Sequence, residues 1–282
     1  TGHVGRAAEA CFVTQSTLSA GIRELESLLG VMLVERTRRV VRFTPLGDAI
    51  VARAHRVLRE AEELAEMAAA AGTPLAGELR MSVIPTIAPF LLPTLLPRLR
   101  AERPDLKLFL REETSQAACD SLHHGNVDCV LLALPYACGD VDHVDLFKDK
   151  LLLAFPPGSA DDLPDAVLPS SIDPAQLLLL EDGHCLKDHA LAACNRPDLR
   201  AGAKMMGTSL HTLVQMVENG LGISMVPQMA VDAGLLSQTH IVTRPLDSPH
   251  DTRMIALVWR RNSPREKEFQ MLAETLTRHH SA

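Results

Sequence analysis

Aromatic residues make up only 3% of this 282-residue chain, with a single tryptophan, Trp259, and a single tyrosine, Tyr136. Its cores must therefore be aliphatic, and an apolar content of 46% is ample for more than one packed domain. Missing too is any uninterrupted apolar run of about 18 residues, the length a membrane-spanning helix needs, so no membrane partner is expected. The opening residues, TGHVGRAAEA, lack the apolar core of a secretory signal. They also lack an initiating methionine, and the chain reads as truncated at its N-terminus. None of the six cysteines forms a CxxC pair. Without a signal peptide, a reducing cytoplasm is the expected setting. There a persistent structural disulfide is not expected, whereas a transient redox one is allowed.

The net charge of −7 argues weakly against nucleic acid, but its distribution argues the other way. Residues 1–59 hold nine arginines against five acids, a net +4 that leaves −11 for the remainder. A small basic head on an acidic body suits a protein whose head meets phosphate.

Within the head, RAAEACFV (6–13) reads as a short helix with Ala7, Ala8, Cys11 and Phe12 on its apolar face. Thr14 then caps a second helix, in which Leu18, Ile22, Leu25 and Leu29 recur at helical spacing until Gly30 stops it. Two helices joined so tightly predict a helix-turn-helix. Thr14, Gln15, Ser16, Thr17, Ser19 and Arg23 fall near the start of the second helix, where a recognition helix meets base edges. LVERTRRVVRFT (33–44) reads as a two-stranded wing, with Arg36, Arg38 and Arg39 placed to grip phosphate or enter a minor groove. Thr44-Pro45 opens a long helix running to about Gly72. Ile50, Ala54, Val57, Ala61, Leu64 and Ala68 form an a/d seam along it, flanked by charges, which favours dimerisation.

After the breaker AGTPLAG (71–77), strands and helices alternate. LRMSVI, LKLFLRE, DCVLLAL, KLLLAF, QLLLLE, KMMG, ISMVP and RMIALVW read as strands. PTIAPFLLPTLLPRLRAERP, SQAACDSLHHG, TSLHTLVQMVENG and PREKEFQMLAETLTRHH read as helices. The pattern predicts an α/β body of two small lobes, with largely parallel sheets covered on both faces.

EDGHCLKDHALAAC (181–194) poses a question of its own. Cys185 and Cys194 are nine residues apart, about 13.5 Å along a helix and on opposite faces. A disulfide needs Cα atoms within roughly 7 Å, so the pair cannot bond while the helix persists. Two buried cysteines acting as small hydrophobes is one reading; a switch that must remodel its own helix is the other. A thiolate is the nucleophile in such chemistry, and a helix start with His184 and Lys187 nearby lowers a thiol pKa, while Asp182 and Asp188 oppose it. Cys129 and Cys11 read as core thiols. Cys119 and His123, with Cys138 and His143 beyond, are spaced more loosely than structural metal ligands, so no metal and no cofactor is expected.

The stretch RAAEACFVTQSTLSAGIRELESLLGVMLVERTRR, continued by FTPLGDAIVARAHRVL, resembles the DNA-binding head of LysR-type transcriptional regulators. The resemblance extends over the whole chain. It implies an α + α/β architecture: a winged helix-turn-helix (1–44) lacking its first helix, a linker helix (45–72), and a two-lobed body (76–282) like type II periplasmic binding proteins. LLLLEDGHCLKDHALAAC, IPTIAPFLLP, DCVLLAL, TSLHTLVQMVENG and GISMVP resemble the peroxide-sensing members of that family. On that resemblance Cys185 is the peroxidatic cysteine and Cys194 its resolving partner. Thr86, Ser115, Gly183 and His184 line the peroxide pocket with Cys185, and Lys187, Asp188 and Arg253 support it. Ser115 stands where the family has a threonine, keeping the hydroxyl and losing a methyl group. The implied partners are double-stranded promoter DNA, hydrogen peroxide, further copies of the chain as dimer or tetramer, RNA polymerase, and a glutaredoxin- or thioredoxin-type reductant. Two rivals remain: a LysR-type regulator of a small organic effector, with its cysteines incidental, and a thiol peroxidase with a DNA-binding head.

Overall fold

The structure, a computed structural model, describes residues 4–36, 41–69, 74–159, 164–195 and 206–280. Arg38, Arg39, Gly72 and the first half of KMMG lie outside the described residues. The chain forms two compact units, Thr1–Glu66 and Met67–Ala282.

In the first unit, α1 (Val4–Ala10) and α2 (Gln15–Leu29) flank a tight turn. Phe12 takes a positive φ of 54° there, which ends α1 before Cys11 and turns both side chains to solvent. The expected apolar face through Cys11 and Phe12 is corrected accordingly: two helical residues at its end are turn residues. Thr14 caps α2 by accepting the Thr17 N–H at 3.2 Å, and Gly30 closes it in the left-handed conformation at φ 68°. Glu26 accepts the backbone N–H groups of Leu33 and Val34, tying α2 to the wing. The wing is an antiparallel pair, β1 (Val34–Arg36) and β2 (Val41–Phe43). Thr44 then accepts the Gly47 N–H at 2.9 Å and starts α3 (Pro45–Ala69). A Cβ at Gly47 would collide with the Leu33 carbonyl, so the helix can approach the wing only with glycine there. Along α3, Val57 and Leu64 are exposed in the single chain.

The second unit runs β3 (Gly77–Val83), α4 (Ala88–Glu102), β4 (Leu106–Glu112), α5 (Ser115–His123), β5 (Cys129–Leu134) and the long β6 (Val141–Phe155). It continues with β7 (Leu177–Leu180), α6 (Cys185–Cys194), β8 (Met206–Gly207), α7 (Leu210–Glu218), β9 (Ile223–Pro227) and α8 (Gln228–Asp232). It ends with β10 (Val242–Pro245), β11 (Thr252–Arg260) and α9 (Glu266–His280). The strand order is β4-β3-β5-β11-β6-β9-β7-β8, with β10 also paired to β6. Pairing is parallel among β3, β4 and β5 and among β7, β8 and β9; β11 and β6 run antiparallel to their neighbours. The sheet is therefore mixed rather than largely parallel. A continuous apolar run shows that both faces are covered, not which way its neighbours run.

Strand β6 joins the lobes. Its first part pairs with β11, and its last residues pair with β9 and β10. Only KLLLAF of this strand is apolar enough to read as buried; the earlier VDHVDLFKD is interleaved with charges on a partly exposed face. Each lobe has its own aliphatic core. One gathers Leu79, Met81, Val83, Leu131 and Leu132 with Trp259 against Phe269; the other gathers Leu153, Leu179, Leu213, Val217 and Val226.

Candidate functional site

Cys185 and Cys194 are the first and last residues of α6, both buried and both thiols. Cys185 packs into the core of the first lobe and Cys194 into that of the second. The helix thus holds its two sulfurs in separate cores, and no bond between them is possible while it stands.

Four segments converge on Cys185. Gly183, at φ 91°, turns the chain out of β7 in a conformation that glycine adopts without strain. His184 occupies the N-cap position of α6 but contributes no capping side chain. Ser115, the first residue of α5, supplies the missing acceptor: its Oγ takes the Cys185 N–H at 3.1 Å. The Gln116 N–H donates to the Gly183 carbonyl at 3.1 Å, fastening the two helix starts together. Having accepted from Cys185 N–H, the Ser115 hydroxyl keeps its own proton to donate, and it favours the Cys185 thiolate.

The third segment is built around Arg253, fully buried at the start of β11. Its Nη1 donates to Thr86 Oγ1 at 2.9 Å and its Nη2 to the Thr86 carbonyl at 3.0 Å, so one guanidinium grips both oxygens of Thr86. Asp149 of β6 pairs with Arg253 at 2.9 Å and accepts the Met229 N–H at 2.9 Å through its other oxygen. Thr86 Oγ1, an acceptor from Arg253, likewise retains a proton to donate.

The fourth segment follows β5. The Pro135 carbonyl lies 3.0 Å from His189 Nε2, and the Tyr136 hydroxyl donates to Gln116 Oε1 at 3.4 Å.

Burial pushes the Cys185 thiol above its ordinary pKa. The Arg253 cation, the Ser115 hydroxyl and the Ala133 backbone pull it back, while Asp188 adds to the rise. Desolvation is the largest influence, so the balance that the sequence left undecided between a helix start and neighbouring acids falls on the raised side. Nor is Lys187 the nearby cation: its ammonium pairs with Asp182 at 2.7 Å, and Arg253 takes that part. Burial lowers the pKa of His184, and lowers that of His189 to about 4, so both rings are neutral at pH 7. His189 Nε2 therefore donates to Pro135, and its buried Nδ1 has no hydrogen-bond partner among the described residues. The arrangement is a neutral, buried thiol beside one hydroxyl, that of Ser115, and within the field of a buried cation, Arg253, that holds the hydroxyl of Thr86. It suits a small polar oxidant that both accepts and donates hydrogen bonds. An open groove of about 1010 Å³ between β6, β11 and α9 contains none of these residues.

Two features escaped the sequence. Cys119 and Cys138 form a disulfide, contrary to the expectation that no structural bond would form. Nineteen residues separate them, and only the packing of α5 against the loop after β5 brings them together. His189 and Asp149 also belong to the site; each stands among other charged residues, Asp149 between Lys148 and Lys150 and His189 after Lys187-Asp188, so no local signal singled them out.

In the head, Gln15, Ser16, Thr17 and Arg23 are exposed on α2, whereas Ser19 is half-buried, its carbonyl taking the Arg23 Nε–H at 3.2 Å. Thr14 Oγ1 lies 2.8 Å from both the Ser16 and Thr17 hydroxyls. Arg36 lies on β1.

The chain thus joins a winged helix-turn-helix to a two-lobed α/β body. The LysR substrate binding domain matches residues 72–281, and the lysR-family bacterial regulatory helix-turn-helix matches residues 1–48. The chain belongs to the LysR family of transcriptional regulators. It is 39% identical to the regulator EstR of Acinetobacter baylyi, over 99% of this chain and 92% of that protein. It is also 39% identical to the dual regulator OxyR of Escherichia coli K12, over 97% of this chain and 90% of that protein. Among solved structures, a full-length OxyR variant of Pseudomonas aeruginosa has 34% identity and a TM-score of 0.75, covering 98% of this chain and 89% of that one. A peroxide-bound OxyR variant of Corynebacterium glutamicum has 31% identity and a TM-score of 0.68, covering 99% and 88%.

Proposed function

We propose that this chain is a DNA-binding transcriptional regulator that senses hydrogen peroxide through Cys185. The observation that carries the reading is the seat of that sulfur: buried, beside the Ser115 hydroxyl and near an Arg253 that grips Thr86, in a separate core from its partner thiol. Peroxide, held by the Thr86 and Ser115 hydroxyls, loses one oxygen to the Cys185 thiolate; the other leaves as hydroxide and takes up the thiol's proton as water. Cys194 then attacks the sulfenic acid, a second water departs, and a disulfide remains. Because that bond requires α6 to come apart, oxidation is coupled to a rearrangement between the two cores. A dithiol reductant of glutaredoxin or thioredoxin type resets the switch.

The domain plan is 1–44 for DNA, 45–72 for self-association and 76–282 for sensing, in the cytoplasm, with promoter DNA and RNA polymerase as partners. Gln15, Ser16, Thr17 and Arg23 face the bases, and Arg36, Arg38 and Arg39 the phosphates. The exposed Val57 and Leu64 of α3 support a dimer. A sensor needs one oxidation per signal and no turnover, which sets it apart from a peroxidase.

The test is peptide mapping after one equivalent of peroxide. A new Cys185–Cys194 disulfide is the expected result; Cys129 as the main oxidised residue would refute the assignment.

A further inference from the structure

The Cys119–Cys138 disulfide lies within a ring of contacts that closes on Cys185. Ser115 and Cys119 are one helical turn apart and both buried, so they share a face of α5. One receives the Cys185 N–H and the other is anchored covalently. From Cys138 the chain runs back through Tyr136, whose hydroxyl reaches Gln116, to Pro135, whose carbonyl receives His189 of α6. The α6 helix then returns to Cys185. Burial and the neighbouring Cys185, Asp188 and Asp120 raise the Tyr136 pKa. Of these side-chain and backbone contacts between segments, Cys119–Cys138 is the covalent one.

Both sulfurs are nearly buried, but Cys138 sits in a loop whose Pro135, Ala137, Gly139 and Asp140 are exposed. In a reducing compartment a disulfide persists only when kinetically shielded, and otherwise belongs to a redox couple.

We propose that Cys119–Cys138 is a second redox site, a couple opened by dithiol reductants, whose closed form holds the wall of the Cys185 pocket and quickens Cys185 oxidation. In the opening step a reductant thiolate attacks one sulfur and forms a mixed disulfide, releasing the other cysteine as a thiol. The reductant's second thiol then displaces the first cysteine. Two electrons and two protons pass to Cys119 and Cys138, and the reductant leaves as its own disulfide. Closing uses one hydroperoxide: one thiol becomes a sulfenic acid, the other displaces water, and the bond re-forms. The rate claim rests on the peroxide reading above; the existence of the couple does not.

The experiment uses the full chain carrying Cys194→Ser, so that Cys185 stops at the sulfenic acid. Differential alkylation across a series of dithiothreitol ratios reads the state of Cys119 and Cys138. Stopped flow with a sulfenic-acid trap reads Cys185 in the open and closed states. The expected result is a folded protein in which the pair opens reversibly, with Cys185 oxidised more slowly by about tenfold or more when it is open, as expected when a reacting group is misplaced. Cys119→Ala/Cys138→Ala should match the open state; if that variant fails to fold, the comparison of the two states in the parent decides. Two freely alkylated thiols without reductant would overturn the proposal, as would a bond that dithiothreitol opens only on unfolding. A lowered melting temperature with an unchanged rate would also overturn it, since a structural staple does only that. A Cys185 inert in both states would sink the peroxide reading and the rate claim together, while the alkylation would still report the couple.

Discussion

The Ser115 Oγ accepts the Cys185 N–H at 3.1 Å, so the first residue of one helix caps the first residue of another. His184, at the N-cap position of α6, leaves that task to a side chain seventy residues from Cys185. The same hydroxyl favours the thiolate, so the cap and the activating donor are one atom group.

Removing that hydroxyl separates the two parts. Ser115→Ala is expected to cost about 0.5–2 kcal/mol of stability as a lost cap, and to slow Cys185 oxidation in stopped flow. Ser115→Thr keeps both parts and should oxidise no more slowly than the parent. A Ser115→Ala variant that is less stable but equally fast would restrict Ser115 to structure.

The Asp149–Arg253 pair offers a second test. Both are buried, and Asp149→Ala leaves the guanidinium without its carboxylate, an expected loss of about 3–5 kcal/mol in urea unfolding. Thr86→Val keeps the shape and removes the hydroxyl that Arg253 grips. It should slow oxidation while leaving operator affinity of the reduced protein unchanged; equal oxidation rates would exclude Thr86 from the pocket.

A pH dependence follows from His189. Its pKa falls from an ordinary 6.5 to about 4 on folding, so the unfolded chain takes up its proton first as pH drops. The neutral ring therefore adds stability that is complete above about pH 6.5 and is lost as pH falls towards 4. The loss is about 3 kcal/mol. His189→Gln should flatten this part of the profile in urea titrations compared across that range. Superimposable profiles would show that the ring is not held neutral by burial.

The head makes separable contacts. Neutralising Arg36 should weaken binding to operator and scrambled duplexes alike and reduce the salt slope by about one. Gln15→Ala should cost about 1–3 kcal/mol on operator alone. Equal weakening on both duplexes would remove α2 from the major groove.

The sequence by itself determined the segments whose signals are local. Thr14 and Gly30 bound α2, Thr44-Pro45 starts α3, and DCVLLAL and ISMVP are buried strands, because caps and apolar periodicity act within a few residues. The incompatibility of an intact helix with a Cys185–Cys194 bond was also legible, since it needs only helical rise. Tertiary structure decided what depends on distant neighbours. Antiparallel β6 and β11 at the lobe junction carry Asp149 and Arg253, whose pairing spans 104 residues and has no local signature. Burial set the direction of the Cys185 pKa, because desolvation depends on everything packed around the sulfur. The Cys119–Cys138 bond arises in the same way: no spacing rule announces it, and only the docking of α5 on the loop after β5 brings the two sulfurs together.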